Sequence, residues 1–182
     1  MKATGIVRRI DDLGRVVIPK EIRRTMRIRE GDPLEIFTSR EGEVIFKKYS
    51  PIGELNSFAA QYADTLHKTC ELSVVICDRD AVIACAGVPK KEYSDRRVSA
   101  ELERVIEGRS LYTWRRGERR MLAVDDARSG HAVSCAMPII TEGDIIGCVV
   151  SLVSADSTEL PGEMEVKLIQ TAAGFLSRQL ES

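Results

Sequence analysis

The chain has 182 residues, of which 43% are hydrophobic and 30% are charged, a composition typical of a soluble globular protein rather than of a disordered one. Its length suits one large domain or two small ones. The longest uncharged stretch, residues 129–141, contains a histidine and a proline and is too short to span a bilayer. We therefore expect a cytoplasmic protein without a membrane-spanning segment.

Charge is distributed unevenly along the chain. Residues 1–49, which we call the head, carry 12 Lys and Arg against 8 Asp and Glu, a net charge of +4. Residues 50–182 carry 15 against 20, a net charge of −5. Within residues 1–29 the basic surplus is larger, with 9 basic residues against 3 acidic ones. A basic head on an acidic remainder indicates a polyanion-binding domain joined to a second domain.

Short strands separated by turn residues fill the head. The pattern predicts a strand at 5–10, a turn at 11–14, a strand at 15–18, a helix at 20–26 and strands at 34–38 and 44–49. Pro19 suits the first position of the helix, because its missing N–H would have no partner there. The head is therefore expected to be β-β-α-β-β.

The head is too small to fold securely on its own. It buries little apolar surface, has no cysteine to crosslink it, and exposes several strand edges. Interleaving the strands of two copies would cover both the edges and the apolar side chains. We therefore expect an obligate dimer.

After Pro51 the hydrophobic period becomes that of a helix. Apolar residues recur with a spacing of 3, 4, 3 and 4, at Ile52, Leu55, Ala59, Tyr62 and Leu66. Two heptads fit either a short coiled coil or a helix packed on its own domain. We predict a linker helix at residues 51–70 and leave both possibilities open.

The rest of the chain alternates strands and helices. The pattern predicts strands at 73–78 and 81–86, a helix at 98–107, strands at 111–114, 132–140 and 145–153, and a helix at 163–180. Tight connections at 78–80 and 142–144 indicate antiparallel hairpins. The last helix has an expected apolar stripe at Met164, Leu168, Ala172, Phe175 and Leu176. The fold class predicted for this part is α+β, an antiparallel sheet flanked by an initial and a final helix.

Arginine dominates the cations of the head. The two predicted strands and the short helix carry Arg8, Arg9, Arg15, Arg23, Arg24 and Arg27, and Lys2 and Lys20 add to these cations. Ile22 and Met26 share one side of the helix, so its other sides are almost wholly cationic, and Glu21 is the only acid within it. Such a run is either a solvated face or a nucleic-acid surface. Guanidinium groups fit phosphates and guanine edges, which favours nucleic acid.

The aromatic residues of the head bear on the kind of nucleic acid. Phe37, Phe46 and Tyr49 come late in the head and are expected in its core. Readers of single-stranded RNA need exposed aromatic platforms. We therefore predict that the head binds double-stranded DNA.

The run TGIVRRIDDLGRVVIP at residues 4–19, followed by EIRRT at 21–25, resembles the DNA-binding domain of the transition-state regulator AbrB family. Over its whole length the chain resembles sporulation regulators in which an AbrB-type head precedes a GAF domain. The resemblance implies a swapped-hairpin β-barrel formed by two protomers at residues 1–50, a linker helix at 51–70 and a GAF-like sensor domain at 71–182. It also implies a nucleoid-associated regulator of late sporulation genes, homodimeric through the head and tetrameric through GAF and helix contacts. Activation and repression are both open.

The resemblance also assigns DNA contacts. The DNA-contacting arginines of the family correspond to Arg8, Arg15, Arg23 and Arg24. Three further cations, Arg9, Lys2 and Lys20, are candidates on the charge pattern alone, for which a screening role fits equally well.

No residue pattern identifies an effector of the GAF-like domain. It lacks an NKxDE-like run for a cyclic nucleotide and a setting for chromophore attachment, and Cys85 and Cys135 fit either a pocket wall or ordinary packing. A basic cluster at residues 115–120 follows Trp114, the only tryptophan. It fits an anionic effector, flanking DNA, pairing with Asp125 and Asp126, or a solvated mobile loop, the interpretation that we favour.

Other function classes find little support in the sequence. The five cysteines form no CxxC pair, and neither histidine has metal-ligand spacing with a cysteine, so we expect no metal and no cofactor. No catalytic motif is present, and Asp125 and Asp126 are adjacent rather than facing. The alternatives are an antitoxin-like DNA-binding protein and an architectural DNA protein with a vestigial GAF domain.

Overall fold

The computed structural model describes residues 5–125 and 130–181. Lys2 and Asp126, both named above, lie outside the described residues. The chain separates into two compact units, one ending at Tyr49 and the other beginning at Ser50. The first unit is the head, and the other is called the second unit.

The described head contains one helix and one strand pair. Helix α1 (Lys20–Met26) is followed by strands β1 (Leu34–Thr38) and β2 (Val44–Lys48), which pair antiparallel. The predicted strands at 5–10 and 15–18 do not form a ladder within the described chain. A strand is stabilised by ladder hydrogen bonds to a neighbouring strand, and β1 and β2 pair with each other rather than with these two segments.

The head leaves most of its apolar side chains uncovered. Pro19 is its only buried residue among residues 5–49. The exposed large hydrophobic residues are Ile6, Val7, Ile10, Leu13, Val16, Val17, Met26, Ile36, Phe37, Val44, Phe46 and Tyr49. The expectation that the three aromatics lie in a core is therefore wrong for the single chain, because the described head places no second layer over the two-stranded sheet.

The second unit is built around one antiparallel sheet. Its elements are α2 (Pro51–Glu54), α3 (Asn56–Cys70), β3 (Ser73–Asp78), β4 (Val82–Ala86), α4 (Lys90–Tyr93), α5 (Ala100–Glu107), β5 (Tyr112–Thr113), β6 (His131–Thr141), β7 (Asp144–Ser154) and α6 (Glu163–Leu180). The strand order is β4-β3-β7-β6-β5, and every paired neighbour is antiparallel. The predicted hairpins β3–β4 and β6–β7 are confirmed, as is the α+β class.

Both faces of this sheet are covered, which explains its nearly continuous apolar strands. Alternate residues of β3 face opposite sides, so that Val74 and Ile76 pack with α2, α3 and α6 on one face. Val75 and Cys77 pack on the other face with α5 and the segment after it. The second unit therefore has the large core that the head lacks.

The helices that cover the first face differ in detail from the prediction. The linker is two helices, α2 and α3, because Leu55 leaves helical geometry between them. The buried residues of α3 are Ala59, Ala63 and Leu66, a helical stripe that packs on its own sheet rather than a coiled-coil seam.

The buried stripe of α6 is also displaced from the one predicted. It consists of Ile169, Ala172, Ala173 and Leu176, while Met164 and Phe175 remain exposed. Phe175 stacks instead on Tyr62, with ring centroids 5.6 Å apart. The start of α5 is likewise displaced, since Ser99 caps this helix by accepting from the N–H of Leu102 at 3.0 Å.

Two glycines test the packing of the second unit in opposite directions. A Cβ on Gly147 would overlap the carbonyl oxygen of Cys77 across the β3–β7 ladder, whereas a Cβ on Gly174 of α6 meets nothing within 4 Å. Gly147→Ala should lower the free energy of unfolding by about 2–4 kcal/mol. Gly174→Ala should raise it by about 0.5–1 kcal/mol, because alanine favours helix. Urea denaturation measures both, and equal effects of the two substitutions would contradict the described packing.

Candidate nucleic-acid interface

A tight turn carries the first candidate arginines. The N–H of Gly14 donates to the carbonyl of Asp11 at 3.0 Å, and the N–H of Asp11 donates to the carbonyl of Arg15 at 3.1 Å. Gly14 has φ +74°, a conformation that favours glycine. The turn thus places Arg8 on the chain entering it and Arg15 on the chain leaving it, and both residues are exposed.

The carboxylate of Asp11 organises this turn. Its Oδ1 accepts from the N–H groups of Leu13, at 3.0 Å, and Arg15, at 2.8 Å. Its Oδ2 accepts from Nε of Arg15 at 2.7 Å. The backbone and then the side-chain hydrogen bond from Arg15 hold the pKa of Asp11 below its ordinary value. Arg15 is thereby fixed through Nε, while its side chain stays 69% exposed.

Helix α1 carries the other two predicted contacts. Arg23 and Arg24 are exposed and lie in its last turn, and neither forms an ion pair with a described residue. The first cation of the helix, Lys20, and the separate Arg9 are also exposed. Arg27 departs from the prediction, because the helix ends before it and its backbone is left-handed.

Arg8, Arg15, Arg23 and Arg24 lie on two elements of one unit, and the described hydrogen bonds do not join those elements. Asp11 was missed as the partner of Arg15. The signal for it was present, since an aspartate that opens a turn commonly accepts from backbone N–H groups two or more residues ahead.

The basic cluster of the second unit is anchored rather than mobile at one end. The Arg120 guanidinium lies 3.6 Å from the ring centroid of Trp114, and its Nη2 donates to the carbonyls of Ser157 at 2.7 Å and Glu159 at 3.2 Å. The interpretation of the whole cluster as a solvated mobile loop is therefore wrong for Arg120. Its other arginines, at positions 115, 116 and 119, are exposed.

The two cysteines named as candidate pocket residues, Cys85 and Cys135, have different surroundings in the structure. Cys85 lines a cavity of about 400 Å³ together with His67 and Lys90, whereas Cys135 is fully buried with its Sγ 3.3 Å from the hydroxyl of Ser151. That hydroxyl in turn donates to Glu165 at the start of α6. Cys135 therefore belongs to packing between the sheet and α6.

A second cavity lies near the segment that precedes the basic cluster. It also measures about 400 Å³ and is lined by residues of α5 and β5, among them Arg104 and Tyr112.

Within residues 5–125 and 130–181, no group of three or more His, Cys, Asp or Glu side chains is arranged to hold a metal ion. None of the helices within these residues has an apolar run of the length that a bilayer requires.

These features define a two-part class of protein, in which an arginine-rich head precedes a unit built on a five-stranded antiparallel sheet that is covered on both faces. Residues 54–181 match the family described as "Stage V sporulation protein T C-terminal, transcription factor", and residues 7–53 match the family described as "Antidote-toxin recognition MazE, bacterial antitoxin". The chain belongs to the stage V sporulation protein T family. It is 55% identical to stage V sporulation protein T of Bacillus subtilis (strain 168), over 100% of this chain and 99% of that protein.

Other comparisons bear on one unit each. The head is similar to the transition state regulatory protein AbrB of Bacillus subtilis (strain 168), with 61% identity over 28% of this chain and 52% of that protein. The GAF domain/HD domain protein from Geobacter sulfurreducens is 14% identical, with 71% and 92% of the two chains covered and a TM-score of 0.51. The PixJ GAF domain of Thermosynechococcus elongatus is 12% identical, with 74% and 89% covered and a TM-score of 0.51. These two structures show that the second unit has the GAF fold.

The cysteines should differ in reactivity according to burial. Burial raises the pKa of the Cys135 thiol to about 12 and raises the pKa values of Cys85 and Cys148, which leaves little thiolate near pH 8. Cys77 is also buried, and Cys70 is half-buried. Iodoacetamide at pH 8 should therefore modify Cys70 first in the folded protein and all five cysteines after denaturation, as measured by peptide mass spectrometry. Modification of Cys135 as fast as Cys70 would contradict its place in the core.

Proposed function

We propose that this protein is a sequence-selective, DNA-binding regulator of transcription that acts on sporulation genes in the cytoplasm, at the nucleoid, and has no enzymatic activity. The head binds double-stranded DNA through Arg8, Arg15, Arg23 and Arg24, whose guanidinium groups hold phosphates and read some base edges. The GAF-fold unit joins the protomers and is the place where an effector would act.

The observation that carries this proposal is that the four arginines are exposed and that only one of them is paired with an acid within the described ranges. Of the four, only Arg15 has an acidic partner among the described residues, and Asp11 binds its Nε, which leaves both terminal nitrogens for a phosphate. The head also shares 61% identity over 51 residues with AbrB, a transition state regulatory protein. Both facts favour duplex DNA over a merely solvated basic face.

We further propose that the head forms a homodimer, and the exposure of its hairpin segments supports this. The segments on either side of the Asp11–Gly14 turn belong to no described strand ladder, and Val7 and Val17 within them are 86% and 70% exposed. A second copy that supplies the same hairpin would pair these segments and cover them, which is the swapped-hairpin barrel expected from the resemblance.

A second contact, between GAF-fold units, would make a tetramer. Phe58, Tyr62 and Phe175 form an aromatic cluster at the outer side of α3 and α6, and Phe175 is 40% exposed. Met164 of α6 is 71% exposed. Apolar side chains on two neighbouring helices fit the helical contacts of a homotetramer.

The antitoxin alternative has less support. The match to the antitoxin family covers residues 7–53 alone, and a toxin is neutralised in such pairs by a disordered tail. Residues from Ser50 onward form instead a compact unit with helices on both faces of its sheet.

Replacement of any one of the four arginines by alanine should weaken binding to duplex DNA. Each phosphate that is no longer bound should lower the slope of log K against log salt by about 0.9, and an arginine that reads a base edge should cost about 1–3 kcal/mol at its preferred site. Fluorescence anisotropy at several salt concentrations measures both. Arg40→Ala is the matched control, because Arg40 belongs to the head but lies outside the proposed surface. Unchanged affinity of both Arg23→Ala and Arg24→Ala would exclude α1 as a contact surface.

Asp11 and Asp12 should have opposite effects on DNA binding. Removal of either negative charge favours a polyanion, so Asp12→Asn should tighten binding slightly. Asp11→Asn should weaken it, because the Arg15 fork loses the carboxylate that fixes Nε. In an Arg15→Ala background, Asp11→Asn should no longer weaken binding. Tighter binding by Asp11→Asn in the wild-type background would show that Asp11 does not position Arg15.

A further inference from the structure

We infer that the turn formed by Arg115, Arg116 and Arg119 is a second binding surface for the phosphates of double-stranded DNA, located on the acidic second unit. This inference rests on the proposed DNA binding and adds to it a contact outside the head. It begins from a local reversal of charge. Residues 50–182 carry a net charge of −5, yet residues 115–120 contain four arginines and a single acid, Glu118.

The turn is held in one shape. The N–H of Glu118 donates to the carbonyl of Arg115 at 3.1 Å, and Gly117 between them has φ +93°. The indole Nε1 of Trp114 donates to the carbonyl of Glu118 at 3.1 Å. Trp114 is buried, with 6% of its surface exposed. The backbone N–H of Trp114 donates to the carbonyl of Ser134 in the sheet at 2.9 Å. The tryptophan therefore ties the turn to the core.

Arg120 fixes the end of the turn. Its guanidinium stacks on Trp114 and donates to the carbonyls of Ser157 and Glu159, so this arginine is used inside the protein. A turn anchored at both ends loses little conformational entropy when a ligand binds to it. That property distinguishes it from an ordinary charged loop.

The three remaining arginines are available to a ligand. Arg115, Arg116 and Arg119 are exposed, and none forms an ion pair with a residue in the described ranges. Solubility alone does not require guanidinium groups, whose planar forks match phosphate oxygens in pairs of hydrogen bonds.

The geometry favours an extended polyanion over a small enclosed one. The two cavities of the second unit described above are lined by other residues, and the three arginines lie on an exposed turn. Guanidinium groups a few residues apart reach successive phosphates of one strand, which lie several ångströms apart along the backbone. Duplex DNA is a ligand that presents such a row of phosphates.

The test uses the full-length protein and a matched charge control. The turn variant is Arg115→Gln with Arg116→Gln and Arg119→Gln, which leaves Arg120 and Trp114 in place. The control variant is Lys91→Gln with Arg96→Gln and Arg97→Gln, three exposed cations of the same unit that make the same change in net charge. Binding of a labelled duplex is measured by anisotropy from low to high salt, with Arg23→Ala/Arg24→Ala as the head variant.

We expect the turn variant to bind duplex about fivefold more weakly near 0.15 M salt for each phosphate that it no longer holds, with a salt slope lower by about 0.9 per phosphate. The control variant should keep the wild-type slope. Because Trp114 is the only tryptophan, its emission is a local reporter. Added duplex should change that emission in wild type and control but not in the turn variant.

Several results would overturn the inference. If the turn variant binds duplex with wild-type affinity and salt slope, the turn does not hold DNA phosphates. If the turn and control variants bind duplex equally weakly, the weakening is an effect of net charge and not of the turn. Quenching of Trp114 by inorganic tripolyphosphate, with duplex binding unaffected by the turn variant, would assign the turn to a small anion instead. If the head variant loses binding while the turn variant keeps it, the inference fails and the proposed function stands. If wild type itself does not bind duplex, the proposed function fails.

Discussion

The head contains more apolar surface than its own chain covers, and we propose that the stability and the DNA binding of the protein depend on this imbalance. Twelve large hydrophobic side chains of the described head are exposed while Pro19 alone is buried. Covering half of them would contribute on the order of 10 kcal/mol, which is comparable with the whole stability of a small domain. A second copy offers both that cover and strand partners for the hairpin segments. The DNA-binding surface would then exist only in the dimer, because the scaffold that holds Arg8 and Arg15 is completed by the partner.

The second unit, in contrast, covers its apolar surface with residues of its own chain. Its five-stranded sheet is covered on both faces by its own helices and loops, and buried polar groups fix the helices against it. Glu165 joins the start of α6 to Ser151 of β7, and Ser99 joins the start of α5 to the carbonyl of Leu122 at 2.6 Å. These bonds leave buried hydroxyl groups satisfied. The unit is thereby a stable support for the anchored arginine turn and for the aromatic cluster, of which Phe175 is exposed.

Much of this architecture could be predicted from local sequence. The bounds of α1, β1, β3 and α6 agree with the prediction, because each has a clear period and clear turn residues at its ends. The turn at residues 11–14 was also predicted, because aspartates and glycine have a direct backbone role in such turns. The α+β class followed from the alternation of periods alone.

What could not be predicted depends on contacts distant in sequence. The stripe of α6 is centred on Ile169 and Ala173 rather than on Met164 and Phe175, since which side of a helix is buried is decided by the sheet against which it packs. The anchoring of Arg120 required Trp114 and the carbonyls of Ser157 and Glu159, the latter two more than 30 residues away. The exposed arginines of the head were identified from the resemblance, whereas the role of Asp11 needed the geometry of its carboxylate.

The central claim is that the head folds only as a dimer. Its most direct test is sedimentation equilibrium of residues 1–53, with far-ultraviolet circular dichroism recorded over the same range of concentration. We predict a folded dimer whose β-sheet signal disappears as dilution drives dissociation, because folding and association are one equilibrium. A monomer that keeps the β-sheet signal would contradict the claim.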